Sequence, residues 1–188
     1  EMIADNPNGK HGVILQNDFF RKYIRRLYPK LELTFSIIGH PETLHLDYEA
    51  YYKDLESKYD IIVPKYVHLE KLIELMEAGK LDPKKYELLY NDNCTIKCIF
   101  HQKHFMMSSM INIANSIRDK GYAPKIDPFL DYDNEDYDCE DEDISDELFA
   151  RFLKCGVDKF KIAGREYDDE DFGDRLERLT SKLMELTT

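Results

Sequence analysis

The chain has 188 residues, 43% of them hydrophobic, with 13 tyrosines and 10 phenylalanines, which suits one domain with a substantial core. Its formal net charge is −12, yet residues 131–147 carry eleven acids and no base, leaving 27 acids against 26 bases elsewhere. General nucleic-acid binding is not predicted, since that needs a basic face, and no run approaches the roughly 18–20 apolar residues of a membrane span.

Residues 2–11 read as turn chemistry, with Pro7 and Gly9 as breakers. Gly12 to Gln16 is a short apolar run that predicts a buried strand. Asn17 or Asp18 caps a helix to about Tyr28. Its Phe20, Tyr23, Ile24, Leu27 and Tyr28 have the spacing of a buried stripe, and Arg21, Lys22, Arg25 and Arg26 form a solvated face. Leu31 to Ile38 predicts a second strand, ending at Gly39-His40-Pro41. A helix over 47–58 follows, capped by Asp47, with Tyr48, Tyr51, Tyr52 and Leu55 inward. Asp60 to Val63 is the third strand, closed by Pro64, and a helix over 69–79 ends at Gly79.

Tyr86 to Tyr90 predicts the fourth strand, followed by the polar turn Asn91-Asp92-Asn93. Cys94, Cys98, His101 and His104 come next, spaced C-x3-C-x2-H-x2-H, as a helix over 98–120 opens. Residues three apart share a helix face, which aligns Cys98 with His101 and His101 with His104. Thiolate and imidazole ligands at a strand end suit zinc or an iron–sulfur cluster. The plainer reading is two buried structural cysteines beside two solvated histidines. The stretch 131–147 reads as an acidic loop; it lacks the glycine an EF-hand turn requires, Asp136 standing there instead. A helix over 145–155, a fifth strand at 159–163, Gly164-Arg165 and a polar amphipathic helix over 169–186 complete the chain.

Short apolar strands alternating with helices predict an α/β fold with a parallel sheet. Ligand-type residues gather just after strands: His40, Asn91 to Cys98, Gly164 and Arg165. In such folds that is where sites lie. Five βα units make either a doubly wound five-stranded sheet or a parallel (β/α) barrel lacking three of its eight units. No glycine-rich phosphate fingerprint follows the first strand. Asn91 and Arg165 are candidate substrate contacts, with Arg165 suited to bidentate capture of a phosphate or carboxylate. Its competing role is an ion pair with Glu166 or Asp168. Cys155 ends an apolar helical stripe and reads as a packed thiol, whereas Cys139 stands among carboxylates with no apolar pattern and is the better ligand candidate. The uneven placing of the four cysteines does not resemble a secreted disulfide framework, so a cytoplasmic, reducing setting is expected.

Several stretches together carry a resemblance. They are Gly12-Val-Ile-Leu with Tyr23-Ile-Arg-Arg-Leu-Tyr-Pro, Tyr52-Lys-Asp-Leu with Tyr59-Asp-Ile-Ile-Val-Pro, Asn91-Asp-Asn-Cys94 through Cys98, His101 and His104, and Phe160-Lys-Ile-Ala-Gly-Arg165. Over roughly residues 6–168 the chain resembles barrel proteins related to the collagenase-like peptidase family, including small bacterial and phage members of unassigned activity. The resemblance implies a (β/α)8 barrel whose last five units are these, with the first three upstream of Glu1 or supplied by a partner chain. It also implies a four-iron (4Fe-4S) cluster on Cys94, Cys98 and Cys139, and a hydroxylase-type or other modifying activity. His101 stands where many such sequences have arginine, which favours mixed Cys/His ligation. No Ser/His/Asp or His-Glu-x-x-His pattern supports proteolysis. The alternative function is a non-catalytic barrel fragment, an interaction or structural protein with a structural zinc or no metal.

Overall fold

Short apolar runs that cannot hide both faces alone pair into parallel strands under helices, and that is how this chain begins. The computed structural model describes residues 12–41, 47–92, 110, 142–163 and 169–187. Strands β1 (Gly12–Leu15), β2 (Glu32–Phe35) and β3 (Ile61–Ile62) pair in parallel in chain order. Val13 lies beside Leu33, and Phe35 beside Ile62. A parallel bridge from Ile62 to Tyr86 leads to β4 (Glu87–Leu89). This strand pairs in parallel with β7 (Lys159–Lys161), Leu88 beside Phe160. Two short pieces, β5 (Asn91–Asp92) and β6 (Glu142–Asp143), pair separately. The molecule is thus a mixed α/β fold with short parallel strands in small sheets.

The chain separates into two compact units, Glu1–Asp92 with Asp143–Thr188, and Asn93–Glu142. Of the second, Met110 is described as helical and exposed, and Glu142 as part of β6.

The helices of the first unit start and stop where local chemistry dictates. In α1 (Asp18–Leu27) the Asn17 side chain accepts from the Phe20 N–H at 3.0 Å. In α2 (Tyr48–Lys58) Asp47 accepts from Ala50 at 3.1 Å. The α4 helix (Asp146–Cys155) is capped by Ser145 and closed by Gly156, whose φ of 99° lies in the left-handed region where a side chain is disfavoured. Helix α3 (Leu69–Glu77) buries Leu69, Leu72, Ile73, Leu75 and Met76, the stripe its spacing predicts. It packs on α2 and α4, and Arg151 of α4 grips Glu77 of α3 through two hydrogen bonds at 2.9 and 2.8 Å. The core is Leu33, Ile62, Leu72, Ile73, Leu88, Phe149 and Phe152, all fully buried. Each such side chain contributes about 1.5–3 kcal/mol of burial free energy. Helix α5 (Asp169–Thr187) buries only Leu179 among its described large apolar residues, and its Arg175 meets Asp143 at 3.1 Å. No helix among the described residues is long and apolar enough to cross a membrane.

One expected stripe is not covered. In α1 no residue is buried: Phe20, Tyr23 and Leu27 are exposed, as is Phe19 at 75% and Ile14 of β1 at 57%. Among the described residues, β1 is the last strand on its side of the sheet. The basic residues there are anchored: Arg21 binds Asp18 at 2.6 Å, and Arg25 binds Asp60 at 2.5 Å.

Candidate functional site

Parallel strands deliver whatever follows them to one end of the sheet, and here β2 and β3 deliver histidines. After β2 the chain makes a single 3-10 turn, Ile37–Gly39, and reaches His40. Gly39 is required by space. A Cβ there would sit 2.7 Å from the Phe35 ring and 2.8 Å from the Gln16 carbonyl oxygen. After β3, Pro64 and Lys65 lead into a second 3-10 turn, Tyr66–His68, which opens α3. His40 is 1% exposed, His68 0% and Lys65 6%.

The two imidazoles meet edge to face, 5.4 Å between ring centres, inside a shell of aromatic side chains. Phe35 and Tyr51 approach His40 at 4.9 and 5.7 Å, and Tyr48 approaches His68 at 5.1 Å. His40 Nε2 lies 2.8 Å from the Val63 carbonyl oxygen. A carbonyl only accepts, so Nε2 carries the proton, and Nδ1 accepts from the Tyr51 hydroxyl at 3.0 Å. His68 Nδ1 shares a 2.7 Å hydrogen bond with the Tyr52 hydroxyl, while its Nε2 is buried with no partner.

Burial holds both rings neutral. It pushes His40 down to about 3, against the pull of the Val63 carbonyl and helped by the charge of Lys65 and by repulsion from His68 whenever that ring is protonated. It pushes His68 down to about 4, with Lys65 adding to the effect. The same burial raises the Tyr51 and Tyr52 hydroxyls, so both stay protonated donors. The cluster is therefore a set of fixed, uncharged donors and acceptors.

At the end of β4, Tyr66 donates to the Leu89 carbonyl at 2.9 Å. Asn91, expected to meet substrate, is buried and engages Ala163 twice: Nδ2 donates to its carbonyl at 3.0 Å, and its N–H donates to Oδ1 at 2.9 Å. These bonds extend the β4–β7 ladder by a side chain in place of a backbone. They hold together the points from which the chain continues toward Cys94 and toward Arg165. Cys94, Cys98, His101, His104, Cys139 and Arg165 themselves lie outside the described residues.

No family model matches this chain, and no curated protein or solved structure does. The site therefore has to be read from its own chemistry. Among the described residues no three His, Cys, Asp or Glu side chains converge to hold a metal. Cys155 is a free, half-buried thiol pushed up by burial, the state of a packing residue and not of a thiolate ligand.

Sequence reasoning placed His40 among the residues after strands but passed over Lys65 and His68. The available signal was the same one: Pro64-Lys-Tyr-Val-His follows the third strand as Gly39-His40-Pro41 follows the second. Spacing marks Tyr51 and Tyr52 as inward packing residues without showing what their hydroxyls meet.

Proposed function

We propose that this chain is the carboxyl-terminal five βα units of a (β/α) barrel related to the collagenase-like peptidase family, acting as a metal- or iron–sulfur-dependent modifying enzyme on an anionic substrate. Cys94 and Cys98 are the metal-ligand pair, and His101, His104 and Cys139 complete or flank the site. The donor set of thiolates and imidazoles fits a 4Fe-4S cluster or zinc, and when bound the group would supply redox or Lewis-acid chemistry. Arg165 orients the substrate anion. A cytoplasmic location suits thiols kept reduced for metal.

The observation that carries this reading is positional. The described parallel strands follow chain order without reversing, and His40, Lys65, His68 and Asn91 all stand at their carboxyl ends. That is the arrangement in which barrels build active sites. The uncovered face of β1 and α1, with Ile14, Phe19, Phe20, Tyr23 and Leu27 exposed, supports a further βα segment, either upstream or on a partner chain, completing the barrel.

Anaerobic purification followed by metal analysis tests it. A brown protein with iron and labile sulfide, lost in Cys94→Ser and Cys98→Ser while the variants stay folded, is the expected result. A colourless protein with one zinc, whose Cys94→Ser variant is strongly destabilised, selects the structural-zinc fragment instead, because metal binding then contributes to folding free energy. Full metal content in both variants refutes the site.

A further inference from the structure

Helix α5 is tied to the first turn of α4 by an ion pair between Lys182 and Asp146. Between the later turns of these two helices lies a cleft of about 690 Å³, within the ~300–1,000 Å³ of small-molecule sites. Ala150 of α4, Phe160 of β7, and Leu183 and Leu186 of α5 form its apolar wall. Phe160 stands mid-strand and stacks on Phe149 at 4.8 Å, yet it is only half-buried, and Leu186 is 46% exposed. Protein interiors are close-packed, so a mid-strand aromatic left half open marks where the chain's own side chains stop short of filling the layer.

The polar residues of the cleft are gathered at one end. Lys84 precedes β4, Asp158 precedes β7, and Lys154 lies in the last turn of α4. All three stand at the amino ends of the parallel strands, whereas Ala150 and Phe160 lie further along the helix and the strand. Asp158 is already held by two ammonium groups, Lys84 at 2.9 Å and Lys159 at 3.2 Å, which keep its carboxyl below the usual range. Lys154 is exposed, and its ammonium makes no ion pair among the described residues. It acts on Glu77 through charge alone, and Arg151 already grips that carboxylate. Three ammonium groups thus surround one carboxylate. The carboxyl end of α4 adds about half a negative charge, too little to cancel the excess. This end of the cleft is cationic in a chain whose formal net charge is −12.

We propose that the cleft binds a single apolar chain bearing a terminal oxyanion, its tail against Ala150, Phe160 and Leu183 and its head at Lys84 and Lys154. Charge gathered at one end selects an amphiphile over a wholly apolar guest, and the sign of that end selects an anionic head. The site lies at the opposite end of the strands from His40 and Asn91, and its chemistry requires neither a metal nor Arg165.

The test is calorimetric titration of the full chain with decanoate below its micellar concentration, in a Phe19→Lys background that weakens apolar binding on the α1 face. Saturable binding of one decanoate per chain is expected, with decyltrimethylammonium about tenfold weaker or more. A parallel titration with decyl phosphate distinguishes a phosphate head from a carboxylate. Lys154→Glu, at an exposed position, is expected to lower decanoate affinity about threefold or more and to leave decanol binding unchanged. Ala150→Phe fills the cleft and is expected to lower the affinity for both about tenfold. Should that variant melt early, Leu186→Lys probes the tail wall from a half-open position. No saturable binding, equal affinity for the cationic head, or undiminished decanoate affinity in Lys154→Glu overturns the proposal. Dissociation of a dimer by Ala150→Phe, with decanoate bound only by the monomer, identifies a second copy of the chain as the occupant and overturns it equally.

Discussion

His40 and His68 make the stability of this protein depend on pH in a window of their own. Burial holds them down to about 3 and about 4 in the folded chain, whereas unfolded histidine titrates near ~6.5. Below ~6.5 the unfolded chain therefore binds more protons, and stability, fully present above that pH, is lost as pH falls toward the folded values. Asp18 and Glu49 act with the same sign. Arg21 and Lys22 pull Asp18 down to about 2, and Lys53 and Lys80 do so for Glu49. Their windows open only below ~4.5. Urea midpoints measured between pH ~7.5 and ~5 thus report the histidines: a falling midpoint is expected, flattened in the His40→Gln, His68→Asn double variant. A flat profile in the parent protein would show that the rings are not buried and neutral. Tyr52→Phe, which leaves His68 Nδ1 unpaired as well, is expected to cost about 1–3 kcal/mol in the same measurement. That His40 stands just after an apolar strand was legible in the sequence; that both of its ring nitrogens are bonded inside the core was not. The role of His68 was not, since a histidine at a helix start reads as solvated until its burial is known.

Among the elements, those with internal reasons to form were legible to within a few residues. The α3 stripe, the Asn17, Asp47 and Ser145 caps and the glycine stops at Gly79 and Gly156 stand where spacing and cap chemistry put them. The second strand is shorter than its apolar run, because Ile37 and Ile38 belong to the turn that carries His40. Apolar content alone cannot separate a strand from a packed turn. Gly39 is the residue that permits this turn. Gly39→Ala would force its Cβ against the Phe35 ring and the Gln16 carbonyl, and a loss of about 1–3 kcal/mol is expected. Unchanged stability, with the His40 signals unmoved, would mean that the close approach of backbone to ring does not occur. At Gly156 a Cβ meets only Pro83, at 3.9 Å, but φ is 99°, so Gly156→Ala should cost about 1–2 kcal/mol through the backbone alone. Calorimetric melting separates the two causes. Only the Gly39 change should also disturb the Tyr51–His40 hydrogen bond.

For the molecule as a whole, the uneven covering of its helices is the property with the most direct consequence in solution. Helix α3 is buried along its stripe and α1 is not, although both show the same kind of apolar spacing. Spacing states that a helix has an apolar face but is silent on what lies opposite it, which is why this difference could not be read in advance. The face formed by Ile14, Phe19, Phe20, Tyr23 and Leu27 is expected to bind an apolar dye and to promote self-association when alone. Phe19→Lys, changing a side chain 75% exposed, should reduce both, with a stability change within about ±0.5 kcal/mol. A large loss of stability in that variant would show that Phe19 is packed against something, and the open-face reading would fall.

The pairing of β4 with β7 joins residues 72 positions apart, Glu87 with Lys159. On the ribosome these strands therefore emerge at different times. At about 5–20 residues per second the interval between them is roughly 4–14 s. By then β1, β2, β3, α2 and α3, all within residues 12–77, have been made and can pack. Through the interval β4 has one side joined through the Ile62–Tyr86 bridge and the other side, with Leu88 and Leu89, open. Such an open edge invites pairing with a neighbouring nascent chain. The stretch between the two strands thus sets a delay as well as a connection: faster passage through it shortens the exposure of β4, and a pause within it extends the time in which chains emerging along one messenger can stick together.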